Sequence, residues 1–181
     1  TKMKNSSADI SPTAGQMSRL VGLAQASKVY RNNKELDFFV DGTILEIILE
    51  KPLKPGKSID FELSFESQVP VQIRRTGRYN KENVAYSMTQ WYPKMCEYDI
   101  DGWHTNPYIG REFYGVWGDF NVSILIDSSF VLGGTGIVQN PQEVKHGYQD
   151  DSKALKKPKR EKLNWIFKAQ NVHDFAWAAD P

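Results

Sequence analysis

From Leu36 onward apolar residues recur at every second position. Leu36, Phe38 and Val40 share a face, Asp41-Gly42 offers the positive φ of a tight turn, and Thr43 to Leu49 runs back. A period of two sends successive side chains to opposite faces of a strand, so this stretch predicts a β-hairpin. Pro52, Pro55 and Gly56 predict the next turn. Ile59, Phe61, Leu63 and Phe65 then alternate with Asp60, Glu62, Ser64 and Glu66, the pattern of a strand with one buried and one wet face. Val69 to Ile73 contains Pro70, which cannot donate to a ladder, and reads as an edge segment. Phe120, Val122, Ile124 and Ile126 alternate with Asn121, Ser123, Leu125 and Asp127 in a further strand. Ser128 to Gly136 is expected to turn over through Gly133, Gly134 and Gly136, and Leu163, Trp165, Phe167 and Ala169 form the last clear strand.

Between these stretches the periodicity fails. Val84 to Ile126 holds three of the five tryptophans and the only cysteine, with rings set among carboxylates, prolines and glycines, so no helical face can be drawn through it. It predicts a strand ending near Gln90, a long irregular loop over a sheet, and the strand from Phe120. Rings that bury apolar area while their polar tips keep a hydrogen bond make such a loop self-packing and a plausible binding surface. Met17 to Tyr30 carries a weak helical stripe but reads as extended, and residues 1–16 read as a polar mobile arm or linker. About seven short strands with hardly any helix predict an antiparallel β-sandwich.

Composition narrows the partners. A chain of 181 residues, 40% hydrophobic and 12% aromatic, can bury one good core, so 17–181 is expected to be a single domain. A net charge of +1 supplies no field to hold nucleic acid or an anionic membrane. The lone Cys96 allows neither an internal disulfide nor a thiolate metal cage, and nothing charged beside it in sequence lowers its pKa. No apolar run approaches the roughly 20 residues of a membrane span. No signal peptide opens the chain, although a first residue of Thr leaves room for a removed leader.

The familiar catalytic motifs are missing. His104, His146 and His173 lie far apart and no His-Glu-x-x-His is present, so a zinc site of that type cannot be built from this chain alone. No Gly-x-Ser-x-Gly elbow occurs, and Gly133-Gly134-Thr135-Gly136 lacks the lysine of a phosphate loop and reads as a turn. Glu97, Asp99, Asp101 and Gly102 have the spacing of the first half of a calcium loop, but Tyr108 stands where the closing Glu belongs. The two readings are a calcium site and an acidic loop that caps backbone N–H groups. Asn5-Ser6-Ser7 and Asn121-Val122-Ser123 are glycosylation sequons, the second a poor acceptor within a strand. The basic run Lys153 to Lys162, without interleaved aromatics, reads as a solvated loop rather than a nucleic-acid patch.

One longer pattern is more specific. Met88-Thr89-Gln90-Trp91-Tyr92-Pro93, followed by Tyr98-Asp99, Gly102-Trp103, Pro107-Tyr108, Glu112-Phe113-Tyr114 and Gly118 to Ile124, resembles the amino-terminal domain of the aminopeptidase N family of zinc metallopeptidases, nearest a bacterial branch. Phe167 to Ala169 and Asp174 to Ala179 are similar to the segment that leads into the family's catalytic domain. The likeness runs from about Asn33 to Pro181. It implies a saddle-like β-sandwich that packs on a zinc-bearing catalytic domain and lends one loop to the peptide-binding cleft. In the family that loop reads Thr-Gln-x-Glu, with the Gln lining the first substrate pocket and the Glu holding the free amino group. Thr89 and Gln90 match, whereas Tyr92 stands at the acidic position, where its ring face could hold an ammonium by cation–π attraction of about 0.5–2 kcal/mol. The zinc ligands and the general base would lie beyond Pro181, so this chain alone is expected to be inactive as a peptidase. An exported or periplasmic location follows from the resemblance only. The family's first strands are expected to be missing, which would expose a sheet edge and favour a strand-mediated homodimer.

Two other classes fit the composition. A carbohydrate-binding module could stack Trp91, Trp103, Tyr108, Tyr114 and Trp117 on sugar rings, and a protein-interaction module could use the wet face of Asp60 to Glu66.

Overall fold

The computed structural model describes residues 8–10, 17–19, 24–72, 75–105, 116–148 and 160–181, giving the backbone path alone at 8–10, 17–19 and 24–27. The strands among them are, in chain order, β1 (Ala8–Ile10), β2 (Met17–Arg19), β3 (Ala24–Arg31), β4 (Lys34–Glu35), β5 (Phe38–Asp41), β6 (Ile44–Ile47), β7 (Ile59–Ser67) and β8 (Gly77–Arg78). They continue with β9 (Tyr86–Met88), β10 (Tyr98–Asp99), β11 (Gly102–Trp103), β12 (Gly118–Asp127), β13 (Val131–Gly134) and β14 (Ile137–Val138). One turn of helix, α1 (Pro141–Val144), precedes β15 (Lys162–Val172) and β16 (Trp177–Asp180). The expected all-β, antiparallel architecture is what forms. The residues fall into two compact units, one of Val69–Thr89 with Gly118–Pro181 and one of Lys4–Gln68 with Gln90–Trp117.

The first unit has two sheets, ordered β12-β15-β14 and β13-β16-β9-β8. The long β12–β15 ladder places Val122 opposite Phe167, Ile124 opposite Trp165 and Ile126 opposite Leu163, so the apolar halves of both strands share one face. All six are buried, and Met88, Leu132, Phe175, Trp177 and Ala179 complete the core. The alternation predicted for Phe120 to Ile126 and Leu163 to Ala169 is therefore the alternation observed. Trp165 stacks on Phe167 at 6.3 Å, and Phe167 meets Phe175 edge-on at 5.8 Å. At the edge of this sheet Asn140 takes over where β14 ends. Its side-chain Nδ2 donates to Asn164 O at 2.8 Å and its Oδ1 accepts from the Ile166 N–H at 3.1 Å. The amide of a side chain thus stands in for one more peptide unit of the ladder.

In the second unit the sheets are β1-β7-β3-β4, β2-β6-β5 and the hairpin β10-β11. Val29, Leu36, Leu45 and Ile47 form its core, with Phe38, Leu49, Phe61, Leu63 and Met95 packed around them. The predicted hairpin is β5–β6, with Asp41 opposite Ile44 and Gly42 at φ 57°. Its inward face differs from the predicted one at the tip, where Val40 is 54% exposed. A second tight turn, between β3 and β4, is made by Asn32 and Asn33 at φ 50° and 63°. Asparagine tolerates this left-handed region better than most residues.

Three sequence expectations are corrected. Gly133 and Gly134 are not part of a turn but lie in β13, opposite Ala178 and Trp177. A Cβ on Gly134 would stand 3.2 Å from the Phe167 ring, so the glycine here permits a close approach within a strand. The last strand is β16 rather than the one ending at Ala169, because the small alanines of Trp177–Asp180 conceal its alternation of buried and exposed positions. The described part of the segment at Val69 to Ile73 is not a strand but holds an isolated parallel bridge, Val71 to Arg78. Of the polar start of the chain, only Ala8–Ile10 is described within 1–16, as a strand paired with β7. Most of the basic run at 153–162 lies outside the described residues, as do Tyr108 and Tyr114.

Candidate functional site

The loop leaving β9 carries the three residues singled out from the sequence. Thr89 follows Met88, whose buried side chain anchors the end of the strand. Gln90 then adopts φ 51°, a left-handed conformation that sharply redirects the chain. Thr89, Gln90 and Tyr92 are all half-buried. Tyr92 packs edge-on against Trp91 at 5.1 Å, and Lys94 Nζ lies 6.0 Å from the Tyr92 ring centroid. The face of the Tyr92 ring is therefore within reach of the Lys94 ammonium. Thr76 was invisible to the sequence reading, because no periodicity or motif marks it, yet its hydroxyl contacts Thr89 at three atoms.

Beyond this loop, β10 and β11 form a short hairpin in which Tyr98 packs on Trp103 at 4.8 Å. Here Asp99 serves both the backbone and His104. Asp99 Oδ1 accepts from the Asp101 N–H at 2.9 Å, and Asp99 Oδ2 lies 2.8 Å from His104 Nε2. Among the described residues no three His, Cys, Asp or Glu side chains converge to hold a metal ion. The bond to His104, and then that from the Asp101 N–H, hold the Asp99 carboxyl below its ordinary value of 3.8. A carboxyl lowered on folding stabilises the fold above its unfolded pKa, and that contribution is lost as pH falls through the folded value. A carbon-detected titration is accordingly expected to show Asp99 protonating below 3.8, with the Asp101 amide losing protection over the same range. Of the rings named for a sugar platform, those among the described residues are Trp91, packed on Tyr92, Trp103, packed on Tyr98, and Trp117, 65% exposed.

No protein-family model and no curated protein matches the chain. Several solved structures do match. The M1 zinc metallopeptidase from Deinococcus radiodurans superimposes with a TM-score of 0.57 at 13% identity, over 98% of this chain and 37% of its own. A mutant of the M1 zinc metallopeptidase from that organism, bound to a Tyr-ser-ala substrate, gives 0.57 at 14% identity over the same shares. A two-domain M1 zinc metallopeptidase mutant bound to L-arginine gives 0.57 at 11%, again over 98% and 37%. Likeness at these identities is likeness of fold. The chain has the all-β fold of the amino-terminal domain of M1 zinc metallopeptidases, and it spans 37% of the length of those chains.

Proposed function

We propose that this chain is the non-catalytic amino-terminal domain of a zinc metallopeptidase, that it packs against the catalytic domain, and that its Thr89 to Tyr92 loop enters the peptide-binding cleft. The observation that carries this reading is the superposition of 98% of the chain on part of a two-domain M1 zinc metallopeptidase. Gln90 lines the pocket for the first substrate residue. Tyr92 offers its ring to the substrate's amino end, in competition with Lys94, while Thr89 fixes the start of the loop. Among the described residues no ligand set that would fit zinc converges. Zinc belongs, on this reading, to the catalytic domain and would polarise the scissile carbonyl there.

The test is the longer protein encoded by the reading frame beyond the codon for Pro181. It is expected to contain His-Glu-x-x-His, to bind zinc and to hydrolyse peptides from their amino end. Gln90→Ala in that protein is expected to raise KM about tenfold with kcat within about twofold, as for a contact made equally in the ground and transition states. This chain alone, given zinc, is expected to turn over no aminoacyl anilide above background. Zinc-dependent turnover by the chain alone, or a reading frame without a zinc-binding motif, would overturn the proposal.

A further inference from the structure

We propose that Thr76 is the positioning residue of the Gln90 loop, its hydroxyl holding both backbone polar groups of Thr89 and so fixing the left-handed turn at Gln90. Its functional meaning rests on the reading of Gln90 as a substrate-pocket residue.

The β8–β9 ladder pairs Arg78 with Tyr86 and Gly77 with Ser87, and then stops. Carried two steps further, this register would set the peptide unit of Arg75 opposite Thr89, to satisfy its N–H and C=O. The Thr76 hydroxyl occupies that place. It accepts from the Thr89 N–H at 3.2 Å and donates to Thr89 O. Its single proton is then committed, so the Thr89 hydroxyl donates to Thr76 Oγ1 across the 2.9 Å between them. Ser87 Oγ donates to Arg75 O at 2.9 Å and ties the residue before Thr76 to the same strand.

Thr76 is itself held from behind. Gly77 sits at φ 149° with Gln72 Cα 2.5 Å and Pro70 O 2.8 Å from where a Cβ would stand. Arg78 N–H donates to Pro70 O at 2.8 Å, and Gln72 N–H to Arg78 O at 2.9 Å. Only a residue without a side chain allows the backbone to close up this far, and the closure sets the height of the Thr76 hydroxyl over Thr89. With Thr89 clamped at both polar groups, the change of direction falls on Gln90. Without the clamp, the start of a turn whose conformation at Gln90 L-residues seldom adopt is no longer fixed at Thr89.

The experiment compares Thr76→Val, which keeps the shape and deletes the hydroxyl, with Thr76→Ser, which keeps the hydroxyl. Ser87→Ala serves as a control that weakens the same strand elsewhere. In this chain, Thr76→Val is expected to speed amide exchange at Thr89 about tenfold or more and to shift the Gln90 signals, with Met88 protection retained. Thr76→Ser and Ser87→Ala are expected to leave Thr89 exchange within about twofold. Unchanged Thr89 exchange in Thr76→Val would overturn the proposal, as would a Thr76→Ser response equal to that of Thr76→Val. Should Thr76→Val unfold the chain, the parent chain decides: a Thr89 amide that exchanges as fast as an unprotected one would overturn the proposal. In the zinc-loaded longer peptidase, Thr76→Val is expected to raise KM with kcat nearly unchanged, and Thr76→Ser to restore it. A loosened loop with KM unmoved would sink the pocket reading of Gln90 and leave the clamp standing.

Discussion

Gly136→Ala is expected to lower the unfolding free energy by about 3 kcal/mol, seen as a fall in the urea midpoint with the slope unchanged. Gly136 sits at φ 86°, where an L side chain is strained whatever the space around it. The space is also missing. A Cβ would stand 2.2 Å from Lys168 O and 2.7 Å from Ala169 Cβ, both on β15. Because Ile137 is registered on Lys168, the added methyl can be relieved only by prising β14 off its partner. Gly133→Ala is the matched comparison, since nothing lies within 4 Å of its Cβ position. It is expected to fall within about 0.5 kcal/mol of the parent chain. Equal effects of the two substitutions would show that close packing at Gly136 is not what fixes this edge.

The second large effect is expected at Trp165. Trp165 is fully buried, with Phe167 stacked at 6.3 Å, His146 stacked at 6.0 Å and Tyr148 edge-on at 5.4 Å. Trp165→Ala removes the ring around which these three assemble and is expected to cost about 3–5 kcal/mol by thermal or chemical unfolding. Trp165→Phe is expected to cost about 1 kcal/mol or less. The indole Nε1 is buried without a hydrogen-bond partner among the described residues, so phenylalanine discards an unsatisfied donor along with part of the volume. A Phe variant as damaged as the Ala variant would mean that shape alone governs the site.

The sequence was most legible where burial alone writes the pattern. Ile59 to Glu66 and Phe120 to Ile126 alternate because one face of each strand packs and the other meets water, and both strands are present where expected. The turn at Gly42 was readable because its backbone requirement is local. Gly134 misled because a residue chosen for a neighbour's close approach looks the same in sequence as one chosen for a turn. Asn32 and Asn33 went unmarked in the sequence, although asparagine's tolerance of positive φ lets a two-residue turn form there. Of the residues proposed for the site, Thr89, Gln90 and Tyr92 were named through resemblance, whereas Thr76 was not. A hydroxyl thirteen residues away has no periodic signature; only the folded backbone brings it to Thr89.

The side-chain amide of Asn140 bears on how the protein ages. Loss of ammonia from asparagine ordinarily proceeds through attack by the next residue's backbone nitrogen. That residue is Pro141, whose ring nitrogen carries no hydrogen. The route to a succinimide is closed at this position, so the group that extends the β15 ladder is shielded from the spontaneous chemistry that would turn its donor into a carboxylate oxygen facing Asn164 O.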